Sequence, residues 1–176
     1  MLCSPAHAQE SANTGSWFQQ TKARLDNIVD NGDQEVYLSG YAYHGRSTYT
    51  KERLRELNEK AWGLGGGRTI RNESGNDESL YFLAIRDSHM KPQLMAGYAY
   101  EWVANIPKTP VEVGAGYTVM LASRRDYFGG IPFPLALPVA SIGVKGAKLM
   151  ASYVPRLSSN KGNGDVLLLF ARFEVK

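Results

Sequence analysis

The residues best equipped for chemistry lie between Tyr81 and Trp102, in "YFLAIRDSHMKPQLMAGYAYEW". Two apolar, aromatic runs flank Asp87-Ser88-His89, which sets a carboxylate, a hydroxyl and an imidazole in succession. A second imidazole, His44, ends "YLSGYAYH", with Arg46 close behind, and Arg124-Arg125-Asp126 forms another charged group. An imidazole can take a proton from an attacking hydroxyl, and a carboxylate can orient that imidazole or stabilise its protonated form. A serine hydroxyl and backbone donors can support a developing oxyanion, so the set suits acyl transfer. Each residue also has an ordinary use. Asp-Ser at a hairpin corner satisfies local N–H groups, a strand-end histidine often only packs, and paired arginines form a solvated rim or meet phosphates. Which use holds depends on whether the surrounding elements bring the residues together.

Those elements read as one domain of 176 residues, with 18 Gly, 10 Tyr and 8 Pro, a composition suited to an all-β protein with many turns. The single cysteine, Cys3, cannot close an internal disulfide. A net charge of +3 is compatible with an anionic surface without demanding one, and no nucleic-acid partner is expected. No cluster of Cys, His and carboxylates has metal-ligand spacing, so neither a metal nor a soluble cofactor is expected. Residues 1–8, "MLCSPAHA", end in an A-x-A pattern, which is either the remnant of a signal peptide, the favoured reading, or a chance match. Residues 9–32 carry Trp17, Thr21, Leu25, Ile28 and Val29 at helical spacing. They predict an amphipathic helix stopped near Asn31-Gly32, packed on a core or lying at a membrane interface.

From residue 33 to 176 the pattern changes to period two. Strands are expected near 35–46, 60–72, 79–88, 92–104, 110–123, 137–145, 147–155 and 164–174. No run of eighteen apolar residues exists, and "GGIPFPLALPVASIGV" is broken by Pro132, Pro134 and Pro138, so a membrane helix is not expected. Eight strands of about ten residues, with long connections on one rim and tight turns on the other, fit an antiparallel up-and-down outer-membrane barrel. Leu94, Ala96, Tyr98, Tyr100 and Trp102 share one face of the fourth strand, with Met95, Gly97 and Ala99 opposite. Bulk therefore faces lipid, and the small residues leave either a narrow, mostly apolar cavity shaped for a hydrocarbon chain or a barrel filled by a few large side chains, the cavity being favoured. In the first strand His44 shares an inward face with Leu38, Gly40 and Ala42, and Tyr37, Tyr41 and Tyr43 take the other. Strand parity then collects His44, Arg46, Asp87, Ser88, Arg124-Arg125-Asp126 and the loop after Pro155 on one rim.

The segments "YAYHGRSTYTKERLRELNEKAWGLGGG", "YFLAIRDSHMKPQLMAGYAYEW", "ASRRD" and "GIPFPLALPVASIG" resemble the lipid A palmitoyltransferases of Gram-negative outer membranes. The resemblance runs from about Trp17 to Phe173. It implies an outer-membrane enzyme that moves a palmitoyl chain from the sn-1 position of a glycerophospholipid donor to a lipid A acceptor, without a cofactor. The family's essential histidine falls on His44, as general base or transient acyl carrier, and its Asp-Ser pair on Asp87, the expected electrostatic partner of His44, and Ser88, an oxyanion or positioning donor. Prolines of a lateral gate between strands six and seven match Pro138 and Pro155. The prolines of a second gate are replaced by Ser39 and Ala61. The floor of the acyl pocket, usually glycine, is Ala99, whose extra methyl would shorten the chain accepted unless Met95 compensates. Arg125 and its neighbours would meet lipid A phosphates or stabilise the rim. A monomer is expected. Two rivals stand beside this reading: a non-catalytic lipid-binding or structural barrel, and an outer-membrane phospholipase.

Overall fold

The structure, a computed structural model, describes residues 6–125, 128–156 and 164–175. A helix, α1 (Ala6–Asn31), leads into eight strands: β1 (Asp33–His44), β2 (Gly63–Arg71), β3 (Asp77–Arg86), β4 (Pro92–Asn105), β5 (Val111–Arg124), β6 (Phe133–Val144), β7 (Ala147–Val154) and β8 (Val166–Glu174). Each strand pairs antiparallel with its neighbours in sequence, and β8 returns to β1, so the sheet is a closed barrel. Every strand expected from periodicity is present, with ends displaced by a few residues. Asp126 and most of the loop after Pro155 lie outside the described residues.

Helix α1 begins at Ala6, inside the segment read as a signal remnant, and ends where Gly32 donates its N–H to the Ile28 carbonyl at 3.0 Å. Ile28 is fully buried against the barrel, Thr21 and Leu25 are half-buried, and Trp17, Phe18 and Val29 are exposed. Both uses considered for the helix thus have residues to serve them. A short helix, α2 (Lys51–Glu56), was not anticipated; the Thr50 hydroxyl caps it by accepting the Arg53 N–H.

The predicted facing of β4 and β5 holds. Leu94, Trp102, Tyr117, Val119 and Leu121 are exposed, while Met95, Ala99, Thr118, Met120 and Ala122 are buried. The facing of lower β1 is the reverse of that expected: Tyr37 is buried and Leu38 exposed. The cause is a bulge between Ser39 and Tyr41. One extra residue there inverts the alternation, so Ala42 and His44 still face inward above it. On neighbouring β2, a Cβ at Gly67 would sit 3.0 Å from the Tyr37 ring, so glycine makes room for the inward tyrosine.

A second correction concerns the interior, which is apolar only in its upper half. Descending β3, the inward residues are Ile85, Leu83, Tyr81, Ser79 and Asp77; descending β4 they are Gln93, Met95, Gly97, Ala99 and Glu101. At the lower end a buried ionic cluster replaces the expected small residues. Arg172 reaches Asp77 at 2.8 Å, Glu35 at 3.3 Å and Glu101 at 3.3 Å. Lys148 pairs with Asp77 at 2.9 Å and Glu112 at 3.0 Å, and Arg71 reaches the same two carboxylates. Mutual pairing is what allows these charges to leave water.

Two ladders stop short of the upper rim. The β6–β7 pairing ends at Val139↔Ser152, although β6 continues upward to Phe133 on β5. Pro134 and Pro138 share one parity, so their missing N–H groups fall on the same edge of β6, the one without a partner here. This is also why β6 starts earlier than expected despite its prolines. The Pro138 carbonyl instead accepts the Ser152 hydroxyl at 3.3 Å, and Pro155 follows β7 directly. The β1–β2 ladder ends at Ser39↔Gly63 without any proline. Above it the segment from Glu59 to Ala61 lies beside β1, and the Glu59 carbonyl accepts the Ala42 N–H at 2.8 Å.

Candidate active site

Odd-numbered strands end on the upper rim, and there His44, Asp87 and Ser88 line one cleft of about 510 Å³, within the roughly 300–1,000 Å³ typical of small-molecule sites. Gln93, Arg124, Val154 and Leu168 line this cleft and also the apolar slot beneath it, so the two share a wall. The slot descends past Met95, Met120 and Leu135 to Ala99, and Ser79, Glu101 and Arg172 close its lower end. A polar mouth over a long apolar slot matches an amphiphile, headgroup up and hydrocarbon down.

His44 is 2% exposed, and its ring meets the edge of Tyr49 at a centroid distance of 5.3 Å. Its backbone N–H donates to Glu59 Oε1 at 3.1 Å, and Nδ1 lies 3.6 Å from the same oxygen. Arg46 pairs with Glu59 at 2.8 Å, and the Tyr41 hydroxyl donates to Glu59 Oε2 at 2.9 Å. Burial alone would raise the Glu59 carboxyl, but the hydrogen bonds from Arg46, the His44 N–H and Tyr41 outweigh it and hold it at about 2. The loop from Gly45 is fastened across the rim, since Gly45 donates its N–H to the Asp165 carbonyl at 2.9 Å and the Thr48 hydroxyl donates to the Asp165 carboxylate.

Asp87 is buried, and its Oδ1 accepts the N–H groups of His89 and Lys91, each at 2.8 Å. Its Oδ2 faces Arg124 at 3.4 Å. Asp87 therefore performs the turn chemistry that an Asx corner offers and fixes the corner that presents Ser88. Among the described residues no hydrogen bond or ion pair joins Asp87 to His44, and none engages the Ser88 hydroxyl. The structure thus brings His44, Asp87 and Ser88 to one cleft but gives His44 a different carboxylate neighbour. Arg125 is exposed on the rim, while Arg124 lines the cleft. His89 is exposed, with its ring 3.4 Å from the Arg53 guanidinium. Sequence reasoning missed Glu59, and of the two rim arginines it singled out Arg125 where Arg124 is the one that lines the cleft. Arg124 was detectable as an even-numbered inward position at the top of β5; Glu59, in the charged run "RELNEK", carried no signal. Among the described residues no group of His, Cys, Asp and Glu is arranged to hold a metal ion.

Residues 24–172 match the family model described as antimicrobial peptide resistance and lipid A acylation protein PagP. The chain belongs to this family. A protein of Bordetella parapertussis named lipid A acyltransferase PagP is 39% identical over 174 residues, covering 99% of this chain and 93% of its own. Proteins of the same name from Methylobacillus flagellatus and Legionella longbeachae are 36% and 42% identical, over 96% and 90% of this chain and 90% and 68% of theirs. Among solved structures, Neisserial surface protein A aligns with a TM-score of 0.38 and 12% identity, over 81% of this chain and 95% of that one.

Proposed function

We propose that this barrel is an outer-membrane acyltransferase that moves a long acyl chain, palmitoyl, from the sn-1 position of a glycerophospholipid to lipid A. The observation that carries the reading is the shared wall between the His44 cleft and the apolar slot, which sets an ester carbonyl at the rim when its acyl chain lies in the slot. Membership of the lipid A acylation family supports the acceptor. An outer surface of exposed Leu, Val and Phe supports insertion in a bilayer, with Tyr41, Tyr43 and Trp62 toward one rim and Trp102 and Tyr117 toward the other. The exposed Trp17 and Phe18 of α1 suit the interface. Closure of the sheet gives every strand a partner on both sides and leaves open only the upper ends of the β6–β7 and β1–β2 pairs, which supports a monomer.

In this reading His44 Nε2 takes the proton of a lipid A hydroxyl as that oxygen attacks the sn-1 carbonyl. Ser88 and nearby backbone N–H groups stabilise the tetrahedral oxyanion. Collapse breaks the bond to the glycerol oxygen, which receives the proton from His44, giving acylated lipid A and a lysophospholipid. Asp87 shapes the corner that carries Ser88, and Arg124 faces the headgroup region. Pro138 and Pro155 keep the β6–β7 edge open for entry of the donor chain, and Arg125 meets the acceptor's phosphates.

The test is incubation of the purified protein with phospholipid labelled in its sn-1 chain and with lipid A. The expected result is label on lipid A and an equal amount of lysophospholipid. Labelled free fatty acid with unlabelled lipid A would replace the reading with a phospholipase. Donor that is bound and never cleaved would replace it with a lipid-binding barrel.

A further inference from the structure

The Asn58-Glu59 segment touches both halves of the site. The Glu59 carboxylate holds the backbone N–H of His44 and stands beside the imidazole, and the Glu59 carbonyl accepts the N–H groups of Ala42 at 2.8 Å and Ala61 at 3.0 Å. The residue before it, Asn58, donates its N–H to the Ser88 carbonyl at 2.9 Å. The Asn58 side chain braces this segment from within, accepting the Lys60 N–H at 3.1 Å and donating to the Lys60 carbonyl at 3.0 Å. Two consecutive loop residues thus tie the base to the corner that presents Ser88. His44 Nδ1 is buried and has no hydrogen-bond partner among the described residues, with Glu59 Oε1 at 3.6 Å. Asp87 is not placed to serve it, since both its oxygens are engaged by backbone N–H groups and Arg124.

We infer that Glu59 is the positioning carboxylate of His44: it holds the imidazole as the Nδ1–H tautomer, leaves Nε2 free to take the acceptor's proton, and stabilises the imidazolium that results. The inference rests on the acyltransfer reading above. At 3.6 Å the contact is electrostatic, and it strengthens when the ring becomes cationic, when stabilisation is needed. Arg46 shares the carboxylate and fixes its orientation, and the edge contact with Tyr49 limits rotation of the ring. Because the Glu59 carboxyl is held at about 2, it stays ionised throughout the range in which an imidazole works as a base.

The test combines nitrogen-15 NMR of histidine-labelled protein folded in micelles with steady-state kinetics, the His44 signals being assigned by their loss in His44→Ala. Wild type is expected to show His44 protonated at Nδ1. Glu59→Gln should move the balance toward Nε2–H and lower kcat by about ten- to a hundredfold, with KM for the donor within about twofold. Glu59→Asp should restore part of kcat and of the tautomer balance. A wild-type spectrum dominated by Nε2–H would overturn the inference, and this outcome does not depend on any Glu59 variant folding. A Glu59→Gln protein with wild-type kcat, or with lowered kcat and an unchanged tautomer, would overturn it too. Failure of the acyltransfer reading is seen separately, as wild type that leaves lipid A unlabelled.

Discussion

Replacing Ala99 by glycine tests how the slot measures its chain. Ala99 pairs with Ser79 on one side and Thr118 on the other, and all three are buried. Above this layer lie Met95, Leu83 and Met120; below it are Glu101 and Asp77, held by Arg172. The layer is therefore where the slot turns from apolar to ionic. Removing one methyl frees room for about one methylene, and burying a methylene is worth about 0.8 kcal/mol, or about fourfold in selectivity. Further lengthening would press hydrocarbon against Ser79 and Arg172, which are joined at 3.3 Å, so the shift should stop after one or two carbons. The assay is competition between donors of graded chain length, read as ratios of kcat/KM. Ala99→Gly should favour a donor about one carbon longer by about fourfold. Identical selectivity in the two proteins would refute Ala99 as the ruler. A shift of many carbons would refute the ionic floor.

Three further outcomes follow from the geometry. Asp87→Asn keeps an oxygen to accept the His89 and Lys91 N–H groups, so it should retain more transfer activity than Asp87→Ala; equal and complete loss in both would mean that the Asp87 charge acts on the reaction directly. Arg172→Met leaves Glu35, Asp77 and Glu101 short of a buried partner and should cost about 3–5 kcal/mol, read by denaturant unfolding in lipid vesicles; an unchanged midpoint would contradict the cluster's pairing. The Glu59 carboxyl is lowered from 4.5 to about 2, so its ion pair contributes fully above pH 4.5 and is lost as pH falls through about 2. The stability difference between wild type and Glu59→Gln should therefore shrink across that window, and a difference independent of pH would contradict the pairing.

Much of this barrel was legible because outward-facing and inward residues alternate along most strands, as in Leu94 to Trp102. The upper rim was legible for the same reason, since parity alone places His44 beside Asp87 and Ser88. Parity failed at Gly40, where a bulge reverses the facing of Tyr37 and Leu38; nothing in a single sequence marks an extra residue in a ladder. The ionic cluster was missed because its members come from different strands, such as Glu101, Lys148 and Arg172. Each looks like an isolated charge until the barrel closes and pairs them. Glu59 was missed because it lies in a loop, where charge is expected to be solvated, and only the path of that loop beside β1 brings it to His44. The role expected of Asp87 as the partner of His44 followed from placing three polar residues on one rim, which does not decide which of them touch.

The most direct measurement is transfer of a labelled sn-1 acyl chain to lipid A by wild type and by His44→Ala, both folded as barrels by gel mobility and circular dichroism. On the proposed mechanism the substitution should lower kcat by about a hundredfold or more and leave donor binding in place. Transfer by His44→Ala at the wild-type rate would show that the chemistry does not run through His44.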